Sequence, residues 1–167
     1  NLKDFQFSQN YFMFFDKLEK SNYFLESIIK TSSEHWNSRI MMHLLSDPIQ
    51  DGGQWDMWVN LIDKYGVVPQ SEMPESFQSS SSRRMNTMIT RKLREFALKL
   101  RTLIKDGLSS DEIRNNKEEM MGEVYKMLSI HLGTPPKVFD WKIRDKKNKL
   151  VNDEKLTPIK FFDKHVG

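Results

Sequence analysis

Asp51, Gly52 and Gly53 open the stretch DGGQWDMWVNLIDKYGVVP, where two adjacent glycines stand directly before an aromatic-rich segment. Glycine loses more conformational entropy on folding than any other residue. A pair is therefore retained where the main chain takes an unusual dihedral, or where another group must come into contact with it. The chemistry on offer is recognition by bare backbone, an N–H donor and a C=O acceptor unobstructed by a side chain. The structural alternative is a tight turn ahead of a helix, with Asp51 helping to cap it. From local pattern alone, that turn is the favoured reading.

Other side chains with chemical potential are not arranged for catalysis. His35, His43, His131 and His165 fall in no HExxH or related metal-ligand spacing, and they read as surface or core-edge residues. The carboxylates are scattered over polar helix faces. No GxSxG, P-loop or GxGxxG motif occurs. The chain has no cysteine, which excludes a disulfide, a thiolate metal site and a thiol nucleophile within it. We therefore expect no catalytic residue, no metal and no cofactor in this chain. Of the ten methionines, Met41, Met42, Met85, Met88, Met120, Met121 and Met127 fall near helical stripes and read as core filling.

A second candidate surface is basic. Between Arg83 and Lys105 eight Lys or Arg residues face the single acidic residue Glu95. Arg94, Arg101 and Lys105 share one face of the predicted helix and are expected to face solvent, a solvated exterior being the favoured reading over a binding role. If they bind, the partner is a nucleic-acid backbone or an assembly surface. No exposed aromatic interleaves with these charges, so a stacking platform for single strands is weakly supported.

The elements that must position these residues follow from periodicity. Ser8 caps a helix reaching about Ile29, with Tyr11, Phe15, Leu18, Leu25 and Ile29 inward and Phe12, Phe14, Phe24 and Ile28 widening the stripe. A short helix spans Trp36 to Leu45 and stops at Asp47-Pro48. The next carries Trp55, Trp58, Leu61, Ile62 and Tyr65 on one stripe, with Gly66 as its terminator. Ser71 to Ser82, SEMPESFQSSSS, reads as a linker. A helix from about Arg84 to Lys105, with Met85, Met88, Ile89, Leu93, Phe96, Leu100 and Ile104 inward, is joined by a short turn to one opened by a Ser109/Glu112 capping box and closed by Gly133. The period then shortens to two at KVFDWKI, with KLV as a return strand. Thr157-Pro158 opens a last helix, with Ile159, Phe161 and Phe162 apolar.

The fold class is thus mainly α with a small antiparallel β element. With 167 residues the chain is long enough for a real core, and its charge of +3 does not by itself mark a nucleic-acid binder. No apolar run reaches the roughly 18 residues of a membrane span, and NLKDFQFSQNYF lacks the apolar region of a signal peptide. The chain lacks an initiator Met and is expected to begin inside a longer protein or after a cut.

Four blocks resemble one family in the same order: FQFSQNYFMFFDKLEKSNYFLES, DGGQWDMWVNLIDKYGVVPQSEMPES, RRMNTMITRKLREFALKLR and LTPIKFFDKHV. They are similar to the bleomycin hydrolase and aminopeptidase C family of papain-like cysteine peptidases. The resemblance implies that Gly52 and Gly53 line a substrate cleft, pairing with the peptide main chain as an added strand would. It implies that residues 1–70 are part of the papain-like helical subdomain and residues 71–167 the family-specific insertion. It places the nucleophilic cysteine and oxyanion-hole glutamine before Asn1, and the catalytic histidine and asparagine beyond Gly167. It further implies a cytoplasmic homohexamer with aminopeptidase activity on peptides, in association with the other segments of the parent enzyme. A helical interaction or nucleic-acid-binding module, and an inactive paralogue, are the alternatives.

Overall fold

The computed structural model describes residues 5–166; residues 1–4 and 167 lie outside the described residues. In chain order the elements are α1 (Gln9–Lys30), α2 (Arg39–Ser46), α3 (Trp55–Tyr65), α4 (Phe77–Ser80), α5 (Arg83–Lys105), α6 (Ser110–Leu132), β1 (Phe139–Arg144), β2 (Leu150–Leu156) and α7 (Pro158–His165). Among the described residues the architecture is mainly helical with one two-stranded antiparallel sheet, as the periodicities predict. Two compact units divide it. One comprises residues 1–15, 53–80 and 132–167; the other comprises 16–52 and 81–131.

The first unit is tied together by backbone and side-chain caps. Ser8 opens α1 by accepting from the Tyr11 N–H at 3.0 Å, and its hydroxyl also donates to the Met73 carbonyl. Asn10 spends both amide protons on main chain, at Pro74 O (2.8 Å) and Leu132 O (2.7 Å). Tyr65 stacks on Phe15 at 3.8 Å between centroids, and the Tyr11 hydroxyl donates to the Tyr65 carbonyl. β1 and β2 pair with Ile143 opposite Val151 and with an irregularity between Phe139 and Trp141. Their inward residues Phe139 and Trp141 meet Phe161 of α7, which is fully buried. Asp145 closes the hairpin turn by accepting from the N–H groups of Lys147 and Lys149. Thr157 caps α7, accepting from the Lys160 N–H with Pro158 in the first turn.

The second unit is organised along α5. Met85, Ile89, Leu93, Phe96, Ala97 and Leu100 form its buried stripe. Gly107, at φ +85°, turns the chain from α5 toward α6. The expected capping box forms: Glu112 accepts from the Ser109 N–H at 2.8 Å, and Ser109 Oγ accepts from the Glu112 N–H at 3.3 Å. Lys92 of α5 pairs with Glu123 of α6 at 3.2 Å, consistent with an antiparallel hairpin.

Several expectations change. The second helix begins at Arg39 under Ser38, whose hydroxyl accepts from the Met41 N–H, so Trp36 lies outside it. Trp55 and Trp58 share the apolar stripe of α3 with the buried Leu61 and Ile62 but are 71% and 37% exposed. Met88 and Ile159 are exposed as well, because the buried stripes of α5 and α7 are narrower than the apolar pattern. The segment 71–82 is more than a linker: it buries Met73 and forms α4, with Ser76 and Ser79 exchanging hydroxyl–amide bonds ahead of and within that turn. The return strand extends to Leu156, whose side chain is buried beside β1.

Candidate functional site

The loop from Ile49 to Gly53 joins α2 to α3 and is held by lysines. Lys17 and Lys20 lie on α1, where the buried positions run Phe14, Lys17, Ser21, Phe24, Leu25 and Ile28. The Lys17 side chain is only 1% exposed. Its ammonium donates to Ile49 O at 2.8 Å, to Gln50 O at 3.5 Å and to Asp51 Oδ1 at 2.5 Å. Lys20 donates to Gln50 O and Gly52 O, each at 2.8 Å, and to Asp16 Oδ2. Buried lysines are found only where charge and donors are matched, and here main-chain carbonyls and two carboxylates do the matching.

Asp51 stands at the rim, its side chain 69% exposed. The Lys17 ammonium, hydrogen-bonded to it, is the main cause holding its carboxyl below the usual value, and Asn86 adds a smaller effect in the same direction. An open cleft of about 480 Å³ lies beside it, lined by Asp47, Asn86, Thr90 and Arg94 among others.

Gly52 and Gly53 are not crowded. A Cβ built at either meets nothing within 4 Å, and neither residue has a left-handed φ. The tight-turn explanation therefore has no strained dihedral to rest on. The two residues differ in one respect: the Gly52 carbonyl is engaged by Lys20, whereas among the described residues neither backbone group of Gly53 has a hydrogen-bond partner.

The three basic residues of α5 take different roles. Arg94 donates to the carbonyls of Leu45 and Ser46, each at 2.9 Å, and so closes the C-terminus of α2. Arg101 donates to Thr31 O at 2.8 Å and to Glu34 O, beyond the end of α1, and its guanidinium lies 4.4 Å from the Trp36 ring centroid. Lys105 is exposed. The expectation of a wholly solvent-facing trio holds for Arg94 and Lys105 in exposure, but Arg101 is half-buried. As α5 advances from Asn86 through Arg94 to Arg101, its polar partners step backwards from Asp51 to Leu45 to Thr31.

His165 has a carboxylate partner, with Nε2 2.7 Å from Asp153 Oδ2, and its ring packs on Trp141. Lys164 binds the same carboxylate and is the main cause of its lowered pKa, with His165 contributing less. Asp153 thus fastens the end of α7 to β2.

A model of the Peptidase C1-like family matches residues 1–167. The chain belongs to that family. Aminopeptidase C of Listeria innocua is 50% identical over 99% of this chain, and bleomycin hydrolase of Rattus norvegicus is 40% identical over 99%. The chain spans 37% of the length of each of these relatives. Among solved structures, PepW from Lactobacillus rhamnosis matches with a TM-score of 0.96 at 48% identity, covering 99% of this chain and 37% of that one. This Peptidase C1-like chain therefore shares the fold of the corresponding part of PepW. Among its described residues, no helix is long and apolar enough to cross a membrane.

Lys17 and Lys20 were missed from sequence. The available signal was positional: Lys17 sits three residues after Phe14 and seven before Phe24, on the core stripe, where a free lysine would be buried at high cost.

Proposed function

We propose that this chain is an internal part of a cytoplasmic, papain-like cysteine aminopeptidase that removes N-terminal residues from peptides. Residues 1–70 supply part of the helical subdomain and the substrate-cleft backbone; residues 71–167 supply the family-specific insertion. The chain contributes cleft and assembly surface to a homohexameric parent, and the nucleophile and base come from other segments of that parent. Acyl transfer by a thiol peptidase needs a thiolate paired with a base, and a chain without cysteine provides none.

One observation carries the assignment of the cleft. Gly53 has open space at its Cβ position and both backbone groups without a partner among the described residues. A peptide main chain approaching there gains a donor and an acceptor at once, as in strand addition. The Gly52 carbonyl is already occupied, so Gly53 is the principal contact.

Gly53→Val in the full-length enzyme tests this. We expect kcat/KM for peptide substrates to fall at least about tenfold with the melting temperature nearly unchanged, since the branched side chain fills the approach path. Unchanged kinetics would remove the cleft assignment. The alternative of a nucleic-acid-binding module draws little support from α5, because Arg94 and Arg101 bind main-chain carbonyls of their own unit.

A further inference from the structure

We propose that Lys17 and Lys20 are positioning residues for the substrate cleft, clamping residues 49–52 by the carbonyls of Ile49, Gln50 and Gly52 and the carboxylate of Asp51 so that Gly53 is presented to the peptide with both backbone groups available. This rests on the assignment of Gly53 to the cleft.

The loop between α2 and α3 has no helical or strand bonds of its own from Gln50 to Gly53. Such a segment would ordinarily sample many conformations, and a peptide binding to it would have to order it first. Here the ordering is supplied by the scaffold. Each ammonium has three protons to donate. Lys17 directs its bonds to Ile49, Gln50 and Asp51, and Lys20 directs two of its three to Gln50 and Gly52. Every residue from 49 to 52 is thereby contacted, and Gln50 O is shared by both lysines. The clamp ends one residue short of Gly53.

The two lysines are built into α1 for this. They are separated by one helical turn, so their stems emerge on neighbouring positions of one face. Lys20 is itself braced by Asp16 at 2.8 Å, the residue one turn before it. Asp51 is braced from the other side by Asn86 Nδ2 at 3.2 Å. A carbonyl clamp also explains why these charges tolerate burial: oxygen acceptors replace water around each ammonium. Simple stabilisation of the core would be served as well by apolar residues at the same positions. What lysine adds is a fixed path for the chain leading into the glycines, the precision that a binding backbone requires.

The test uses the full-length enzyme with Lys20→Met, Lys20→Arg and Gly53→Val, singly and with Lys20→Met combined with Gly53→Val. Lys20 is the better handle because its side chain reaches the edge of the unit at 10% exposure, whereas Lys17 is enclosed. For peptide substrates we expect Lys20→Met to raise KM about tenfold while kcat changes by less than about twofold, the pattern of lost ground-state organisation. Lys20→Arg, which keeps charge and donors, should recover most of that loss. In the Gly53→Val background Lys20→Met should add little, because both act on the same contact. If Lys20→Met fails to fold, Lys20→Gln, which keeps one amide donor pair, is read against the same expectations. A KM that stays at the wild-type value in the folded Lys20 variant, while Gly53→Val still raises it, overturns the positioning role alone. Equal effects of Lys20→Met with and without Gly53→Val also overturn it. An unaltered kcat/KM in Gly53→Val overturns the cleft assignment and the positioning role with it.

Discussion

Gly66 and Gly53 are both glycines flanking α3, and they are glycine for opposite reasons. Gly66 ends the helix with φ +72° and ψ −159°, a region essentially closed to residues with a side chain. A Cβ there would lie 2.3 Å from the Pro158 carbonyl carbon and 2.4 Å from the Ile159 nitrogen. The start of α7 rests against this bare backbone, and Val67 N–H bonds to Pro158 O at 3.3 Å. Gly53 has neither constraint: its φ is not left-handed and a Cβ there would meet nothing within 4 Å. One glycine is required by what the chain packs against itself. The other is left open, as its proposed role in the cleft requires. Sequence treats the two alike; only their surroundings separate them.

The largest expected effect tests the closed member of the pair. Gly66→Ala should destabilise the protein by about 3–5 kcal/mol, since it combines a forbidden dihedral with backbone overlap that no rotamer relieves. Denaturant melts of wild type and variant give the value directly. A loss below about 1 kcal/mol would mean that α7 shifts away freely, and the distinction between the two glycines would weaken.

A charge held inside its unit offers the second test. Glu26 accepts hydrogen bonds from Arg114 and Lys117, in that order of effect, and its carboxyl is lowered to about 2. Its side chain is 22% exposed and that of Lys117 8%. Because the folded carboxyl binds its proton more weakly than the unfolded one, the stability it contributes is full above the ordinary value of 4.5 and lost as pH falls toward 2. Glu26→Gln should cost about 1–3 kcal/mol at pH 7, and the gap from wild type should narrow steadily below pH ~4.5. A gap independent of pH would assign the loss to packing.

The basic face of α5 supplies a smaller contrast of the same kind. Arg101→Ala should destabilise by about 1–2 kcal/mol, through lost carbonyl bonds and lost stacking on Trp36. Lys105→Ala should stay within about 0.5 kcal/mol, as a surface substitution does. Thermal melts of the two variants side by side decide whether α5 straps the ends of α1 and α2 or merely faces solvent.

The smallest expected effect returns to the open glycine. Gly53→Ala should change folding stability by no more than about 0.5 kcal/mol, and in the stabilising direction if the unfolded chain loses freedom. A loss comparable to that of Gly66→Ala would show that Gly53 is structurally constrained after all, and the comparison would collapse.

The helices, their caps and the hairpin were legible in the sequence because they depend on neighbours three to five residues away. Ser8, Ser109 with Glu112, and Thr157 with Pro158 each cap the helix they were expected to cap. The mainly α class with one β-hairpin followed from the change of period alone. The contacts that define the candidate site join residues far apart: Lys17 to Ile49, Lys20 to Gly52, Arg94 to Leu45 and Arg101 to Thr31. Local pattern marks a lysine on an apolar stripe as anomalous, but the carbonyl that satisfies it is chosen only when the chain folds back. The same holds for Trp55 and Trp58, whose spacing suits a buried stripe although both are exposed, since periodicity records which residues share a face and not what covers it. Sequence therefore determined the elements and the pair of glycines. Tertiary structure decided which glycine is enclosed and which is open, because that depends on the distance to atoms that the sequence places ninety residues away or, at Gly53, does not place at all.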